Sequence, residues 1–350
     1  MSNTTERSGP ALTPAGKPSR PGGVLGQLGR AGGVFARQRE ATVLVVTVAL
    51  LLYFGLRYSS TFASQTNAVN LLSENAAPII IIGIGEVFLL ICGEIDLSVG
   101  FVFAFAPFIM YFLVAYDHVP ALLAIILALL MGTVTGWVNG FLTVTLGLPS
   151  FITTLGTGFV LDGLLLTTSH AEPFPIPAST ASMGRWIGAS PWSQIIWAVI
   201  LVAIFHVVLT RTRWGLHTIA TGGNQLGARE AGISTGRIRY GNFMITGTLG
   251  ALVGLQTAFY TNTIDPTAGG YTPMFYAVTA AVIGGTAMLG GQGTILGAFL
   301  GAIVLSTLID GLDVAGISAN PLNIIFGLAI LVAMIANVRL AMLRASGRNV

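Results

Sequence analysis

ATVLVVTVALLLYFGL, residues 41–56, is the stretch whose reading decides the fold class. It holds sixteen residues with no charge, bounded by Arg39 and Glu40 on one side and Arg57 on the other. A membrane β-strand alternates apolar and polar residues, and this run does not, so it reads as a helix. At about 1.5 Å per residue it nearly crosses a hydrocarbon layer of about 30 Å. Similar runs fill the rest of the chain. Of 350 residues, 53% are apolar and 8% are charged, with a mean hydropathy of +0.81. A soluble domain carries about 25% charged residues, so water is not the solvent for most of this surface. The expected fold is all-α: a polytopic integral membrane protein of about ten transmembrane helices with short re-entrant or broken segments. The predicted spans are 40–57, 68–92, 97–116, 120–146, 149–168, 193–210, 240–261, 273–289, 293–311 and 321–338.

The net charge of +3 and pI near 9.2 do not indicate nucleic acid, because the basic residues are segregated. Arg7, Lys17, Arg20, Arg30, Arg37 and Arg39 precede the first span. Arg211, Arg213, Arg229, Arg237 and Arg239 share one polar segment, and Arg339, Arg344 and Arg348 end the chain. Cationic loops stay in the cytoplasm. An even number of spans from a cytoplasmic N-terminus puts 211–239 and the C-terminus inside as well, so charge and span count agree on a multi-pass protein of the inner (plasma) membrane. The expected organisation is a disordered basic cytoplasmic tail (1–39), a transmembrane domain (40–338) with a cytoplasmic loop at 211–239, and a basic cytoplasmic tail (339–350). The positive region before the first span is too long for a cleaved signal peptide. The Pro-rich stretch 170–192 lies outside on this topology, as a docking surface or a connector.

Forty-five glycines, many of them inside spans, suit close helix approach in lipid. GEIDLSVG (93–100) and GGQGTILG (290–297) each separate two apolar spans with equal glycine spacing, which hints at an internal repeat.

No enzyme constellation is visible. The four histidines lack ligand spacing, the single cysteine, Cys92, excludes an internal disulfide or a Cys-based metal site, and no cofactor or metal is implied. There is no GxxxxGK[ST] phosphate loop, so ATP chemistry, if used, belongs to a separate subunit. Carboxylates at membrane depth are functional candidates by default: Glu74, Glu86 and Asp162 within spans, Glu94 and Asp96 at the 93–100 break, Asp310 and Asp313 near a span end. They read either as coupling sites of an ion-driven carrier or as groups lining a polar pathway or capping a helix; no Lys or Arg is expected inside a span to pair with them. The segment 211–240 contains a short helical pattern, with Asn224 as N-cap and Gly232 as terminator, which suits a loop that receives force from a soluble motor.

Five stretches carry a family resemblance. GEIDLSVG (93–100), VNGFLTVTLGLPSFITTLGT (138–157), GLHTIATGGNQLGAREAGI (215–233), AAVIGGTAMLGGQGTILGAFLGA (280–302) and DGLDVAGIS (310–318) resemble, in order, motifs of the permease subunits of ribose/xylose/galactose-type ABC importers. Those share a superfamily with the branched-chain amino-acid permeases. The resemblance implies a translocator that works by alternating access, with a second permease subunit (identical or related), cytoplasmic ATP-binding subunits and an extracytoplasmic solute-binding protein. It implies that Gly223, Asn224, Ala228, Arg229, Glu230 and Gly232 belong to a coupling helix docking on the ATPase. The implied solute is a monosaccharide, with Glu94, Asp96, Asn139, Phe151 and Asp162 as candidate pathway residues. The alternative is an ion-coupled carrier of small polar solutes. Three positions depart from the family pattern: Asp162 stands where Arg is frequent, 273–275 (PMF) replaces an acidic element, and Asp310 replaces Asn.

Overall fold

The computed structural model describes residues 39–317 and five further positions between 324 and 335. Apart from Arg39 and those five positions, the expected basic tails and the tenth span lie outside the described residues. Seven helices are long and apolar enough to cross a membrane: α1 (Arg39–Arg57), α2 (Gln65–Ile91), α4 (Ala121–Thr145), α5 (Ser150–Ser169), α7 (Pro191–Arg211), α10 (Thr235–Thr261) and α12 (Ile295–Val314). Two shorter apolar helices, α3 (Val99–Ala115) and α11 (Tyr271–Ile283), supply the remaining predicted spans among the described residues. Three small helices complete the set: α6 (Ala181–Ile187), α8 (Arg213–Gly223) and α9 (Gln225–Glu230).

Local chemistry sets the ends. The Ser64 hydroxyl accepts from the Asn67 amide (3.2 Å) at the start of α2, and Thr294 does the same for Gly297 (3.0 Å) at α12. Pro120 and Pro149 stand just before α4 and α5, and Pro191 opens α7, where a missing N–H costs nothing. In α2, Pro78 removes one ladder bond, and the turn before it, Leu71–Ala76, widens to a π-helix.

α2 and α10 are the same length, 27 residues, and each is followed by an extended segment and a short helix. α2 descends to the end of the molecule that carries α8 and α9, here the loop end; residues 93–98 turn back inward and α3 runs away from it. α10 starts at the loop end; residues 265–270 turn back from the opposite end and α11 returns. The two short helices begin where these segments meet, and the Gly270 amide donates to the Gly100 carbonyl at 3.1 Å. A Cβ on Gly100 would strike the Gly270 carbonyl, so no larger residue permits this approach. At about 20 Å, α11 is too short to cross a 30 Å layer, because half of its path is extended chain. The structural counterpart of the 93–100 break is therefore 265–270. The 290–297 stretch paired with that break in the sequence is instead the end of a loop and the first residues of α12; the loop, with Gly285, Gly290 and Gly291 at positive φ, ends the predicted 273–289 span early.

The Pro-rich stretch folds onto the opposite end. β1 (Phe174–Pro175) pairs antiparallel with β2 (Thr263–Ile264), Phe174 stacks on Tyr111 at 4.7 Å, and Gly188 lies against Gln256 of α10.

Candidate functional site

Two arrangements gather the polar groups of the apolar bundle. The first is the extended segment 93–98. Gly93, at φ +75°, turns the chain out of α2. Glu94 then forms an ion pair with Arg239 at 2.5 Å, their side chains 11% and 15% exposed. This corrects the expectation that no cation within a span meets the carboxylates. α10 begins at Thr235, so Arg239 lies in its second turn and not in the loop, which spans 212–234. Farther in, Ser150 accepts from the Ile95 amide (3.4 Å) and Thr154 from the Leu97 amide (3.0 Å). These hydroxyls from the first turns of α5 satisfy donors that extended backbone would otherwise leave bare at membrane depth.

Asp96 closes the segment. One of its oxygens accepts from the Ser98 amide at 2.8 Å and the Ser98 hydroxyl at 2.6 Å, and the Asn139 amide of α4 lies 3.3 Å from both oxygens. The same Asn139 nitrogen donates to Ser98 at 2.8 Å. Asp96, Ser98 and Asn139 are wholly buried. Three of the candidate pathway residues, Glu94, Asp96 and Asn139, thus hold the entry to α3, and Asp96 and Asn139 face no open space in this conformation.

The second arrangement is the loop end. Asn242 of α10, wholly buried, accepts from the Trp214 indole (2.9 Å) and donates toward the Phe88 carbonyl (3.2 Å), Cys92 Sγ (3.3 Å) and Thr218 Oγ1 (3.5 Å). It joins α8 to the last turn of α2. A Cβ on Gly222 would strike the Ile91 carbonyl and the Gly291 amide, and that amide itself donates to the Ile91 carbonyl at 2.7 Å. The end of α8, the end of α2 and the 284–294 loop therefore touch through backbone.

The loop forms two helices, where the sequence indicates one. Asn224 caps α9, its Oδ1 accepting from the Gly227 amide at 2.9 Å, and Gly232 leaves it at φ +82°. Gly223 ends α8 in open space, Ala228 is the buried residue of α9, and Glu230 is exposed at its end. Arg229 donates to Thr235 Oγ1 at 3.0 Å, tying α9 to the start of α10. Leu226 is 68% exposed on α9, a large apolar side chain away from the helix bundle.

The remaining carboxylates are scattered. Glu74 accepts from Tyr260 (2.7 Å) and Asp310 from Asn67 (2.7 Å), both near the opposite end. Glu86 is wholly buried, and among the described residues neither of its oxygens accepts a hydrogen bond. Phe151 and Asp162 stand apart from the other candidates on the open side of α5, with Phe151 57% exposed. Sequence reasoning did not single out Ser98, Thr154, Leu226 or Asn242. For Asn242 a signal existed, a carboxamide inside an apolar span; for the others, only the fold supplies the partner.

Residues 68–335 match the family model described as branched-chain amino acid transport system / permease component. The xylose/arabinose import permease protein XylH of Sulfolobus acidocaldarius is 34% identical over 307 residues, covering 85% of either chain. The autoinducer 2 import system permease protein LsrC of Photorhabdus luminescens is 32% identical, covering 86% of this chain and 90% of its own. The ribose import permease protein RbsC of Haemophilus influenzae is 30% identical, covering 89% and 95%. No solved structure matches.

Proposed function

The chain belongs to the family of branched-chain amino acid transport system permease components, as a membrane-spanning translocation subunit of an importer, and from that premise we propose that it is driven by ATP through its loop end. In this reading the loop end is cytoplasmic, as are both termini. ATP-binding subunits dock on α9, an extracytoplasmic binding protein delivers the solute at the opposite end, and a second permease subunit completes the translocator. The names of the relatives support a monosaccharide as the solute.

The observation that carries the proposal is the backbone contact of Gly222 with both Ile91 and Gly291. Force on α9 passes through α8 to the end of α2, from which the 93–98 segment departs, and to the loop that ends α11. Side chains can yield by changing rotamer, whereas touching backbones move together. A shift of α8 therefore displaces both short helices, which is the motion alternating access needs. Leu226 is the docking knob, since an exposed leucine three residues from Arg229 on a cytoplasmic helix fits an apolar pocket in a soluble partner.

The test is uptake of labelled D-xylose, L-arabinose and D-ribose by vesicles containing the chain with its ATPase and binding protein. Uptake is expected to require ATP, and Leu226→Glu is expected to abolish it with membrane insertion intact. Normal uptake by L226E removes the role of α9. Uptake that follows a proton gradient without the ATPase overturns the energy source.

A further inference from the structure

We propose that the groove between α4 and α7 is a binding site for one anionic phospholipid, with an acyl chain against Trp214 and the phosphate on Arg211 and Arg237. That its leaflet is the cytoplasmic one rests on the function proposed above; the site itself does not.

Helix packing opens the groove. α4 packs along α10, whereas α7 packs on α2 and α8, so the two diverge and leave α10 uncovered between them. The gap holds about 500 Å³ and is lined by Thr133 of α4, Phe205 and Val208 of α7, Trp214 of α8, and Met244 and Leu249 of α10. That volume is ample for a small-molecule ligand, whose sites run to about 300–1,000 Å³. No polar group in it waits for a partner. The hydroxyls of Thr133 and Thr248 meet at 2.7 Å, and the Trp214 indole donates to Asn242. The lining therefore calls for hydrocarbon. The rims agree: Leu130 and Val134 on α4, and Ile204 and Val207 on α7, are exposed apolar side chains beside the lining residues. From Gly241 to Leu249 the lining follows α10 for about 12 Å, close to one leaflet of a layer of about 30 Å.

Charge names the headgroup. Residues three or four apart share a helix face. Arg211 continues the row of Phe205 and Val208 on α7, and Arg237 begins the row of Gly241, Met244 and Thr248 on α10. Both rows thus carry an arginine at the loop end, one turn beyond the groove, and Arg213 stands next to Trp214. All three arginines are exposed, and none has an ion-pair or hydrogen-bond partner among the described residues. An apolar cleft one leaflet deep, with unpaired cations at its mouth, fits a lipid that is hydrocarbon below and anionic above. A choline headgroup would set its own cation among the arginines.

Occupancy bears on the joint between loop and core. The Trp214 ring lies against Gly241, where a Cβ would strike it, and its indole holds Asn242 at 2.9 Å. A chain on the groove side of Trp214 keeps α8 seated on α10.

Native mass spectrometry of the purified full chain tests the site, with phosphatidylglycerol and phosphatidylcholine of identical acyl chains as probes. One phosphatidylglycerol is expected to be retained at least fivefold more than phosphatidylcholine, since a basic side chain near an anionic surface strengthens attachment about fivefold. Arg211→Gln combined with Arg237→Gln is expected to remove the preference, and Arg185→Gln, in α6 at the opposite end, to keep it. Ile245→Trp fills the groove and is expected to lower retention of either lipid at least threefold. The arginine pair, being exposed, carries the test if I245W does not fold. Equal retention of the two lipids overturns the anionic headgroup. A preference that survives R211Q/R237Q, or that R185Q also abolishes, overturns the site. Dimers that I245W dissociates while phosphatidylglycerol stays bound make the occupant a second copy of this chain and overturn the lipid. Retention in detergent does not depend on orientation, so labelling of G223C from outside the cell by an impermeant maleimide overturns the orientation proposed above and leaves the lipid site standing.

Discussion

Replacing Asn242 with Leu keeps the branched shape and the number of side-chain heavy atoms and removes the carboxamide that joins α8 to α2. The variant loses the 2.9 Å bond from the Trp214 indole and the 3.2 Å bond to the Phe88 carbonyl, besides the longer contacts to Cys92 and Thr218. Each good bond contributes about 1 kcal/mol net, and a buried indole N–H left without a partner adds about 1–3 kcal/mol. The expected loss is therefore about 3–5 kcal/mol, which at about 2.1 cal/mol/K of unfolding entropy per residue corresponds to about 4–7 °C in apparent melting temperature. Asn242→Asp is the companion: it keeps the acceptor for Trp214, removes the donors toward α2, and places a carboxylate beside the Phe88 carbonyl, so it should be at least as damaging. The assay is thermal unfolding of the detergent-purified chain followed by tryptophan fluorescence, with ATP-driven uptake by the complex alongside. Both variants should melt early, and N242L that still assembles should hydrolyse ATP without proportionate uptake. N242L within 1 °C of the parent, with normal coupling, would refute the assignment of Asn242 as the joint between loop and core.

Other outcomes follow from the same geometry. Asp96→Asn turns one acceptor into a donor facing the Asn139 amide and Ser98, so transport should fall at least tenfold while the complex still assembles; wild-type uptake would reduce Asp96 to a dispensable cap. Arg239→Glu should impair function by leaving Glu94 beside a like charge, and the double exchange with Glu94→Arg should recover part of the uptake, because the pair is mutual. Gly100→Leu should prevent the Gly270 approach and deplete folded protein in the membrane, detectable as loss of monodisperse chain on size-exclusion chromatography. Glu86→Gln removes a carboxylate that accepts no hydrogen bond among the described residues and should leave melting temperature unchanged or raised; a fall of several degrees would reveal a partner acquired in another conformation.

Much of this molecule was legible before any coordinates. The run at 41–56 and the scarcity of charge settled an all-helical membrane protein, since a bilayer leaves the backbone few alternatives. Motif order pointed to the family. Asn224 and Gly232 marked the ends of α9, because capping is local chemistry written in adjacent residues. Hydropathy also located α3 and α11, but read both as spans, since a window of apolar residues has the same composition whether the chain inside it is coiled or extended.

The pathway candidates show where such reading stops. Glu94, Asp96, Asn139, Phe151 and Asp162 looked alike as polar or aromatic residues near membrane depth. The fold divides them: the first three hold an extended segment in place with Arg239, Ser98, Ser150 and Thr154, and the last two lie on the open side of α5. The residues that satisfy Asp96 and its neighbours come from three helices, and no spacing along the chain encodes which hydroxyl meets which amide. The sequence by itself determined the solvent, the secondary structure and the family, because those follow from local composition and from short-range pattern. Only the tertiary structure decided which carboxylates are paired, where the short helices begin and which face stays open. Those depend on contacts between segments far apart in the chain, such as Gly100 and Gly270, whose approach is set by the volume of the side chains packed around them.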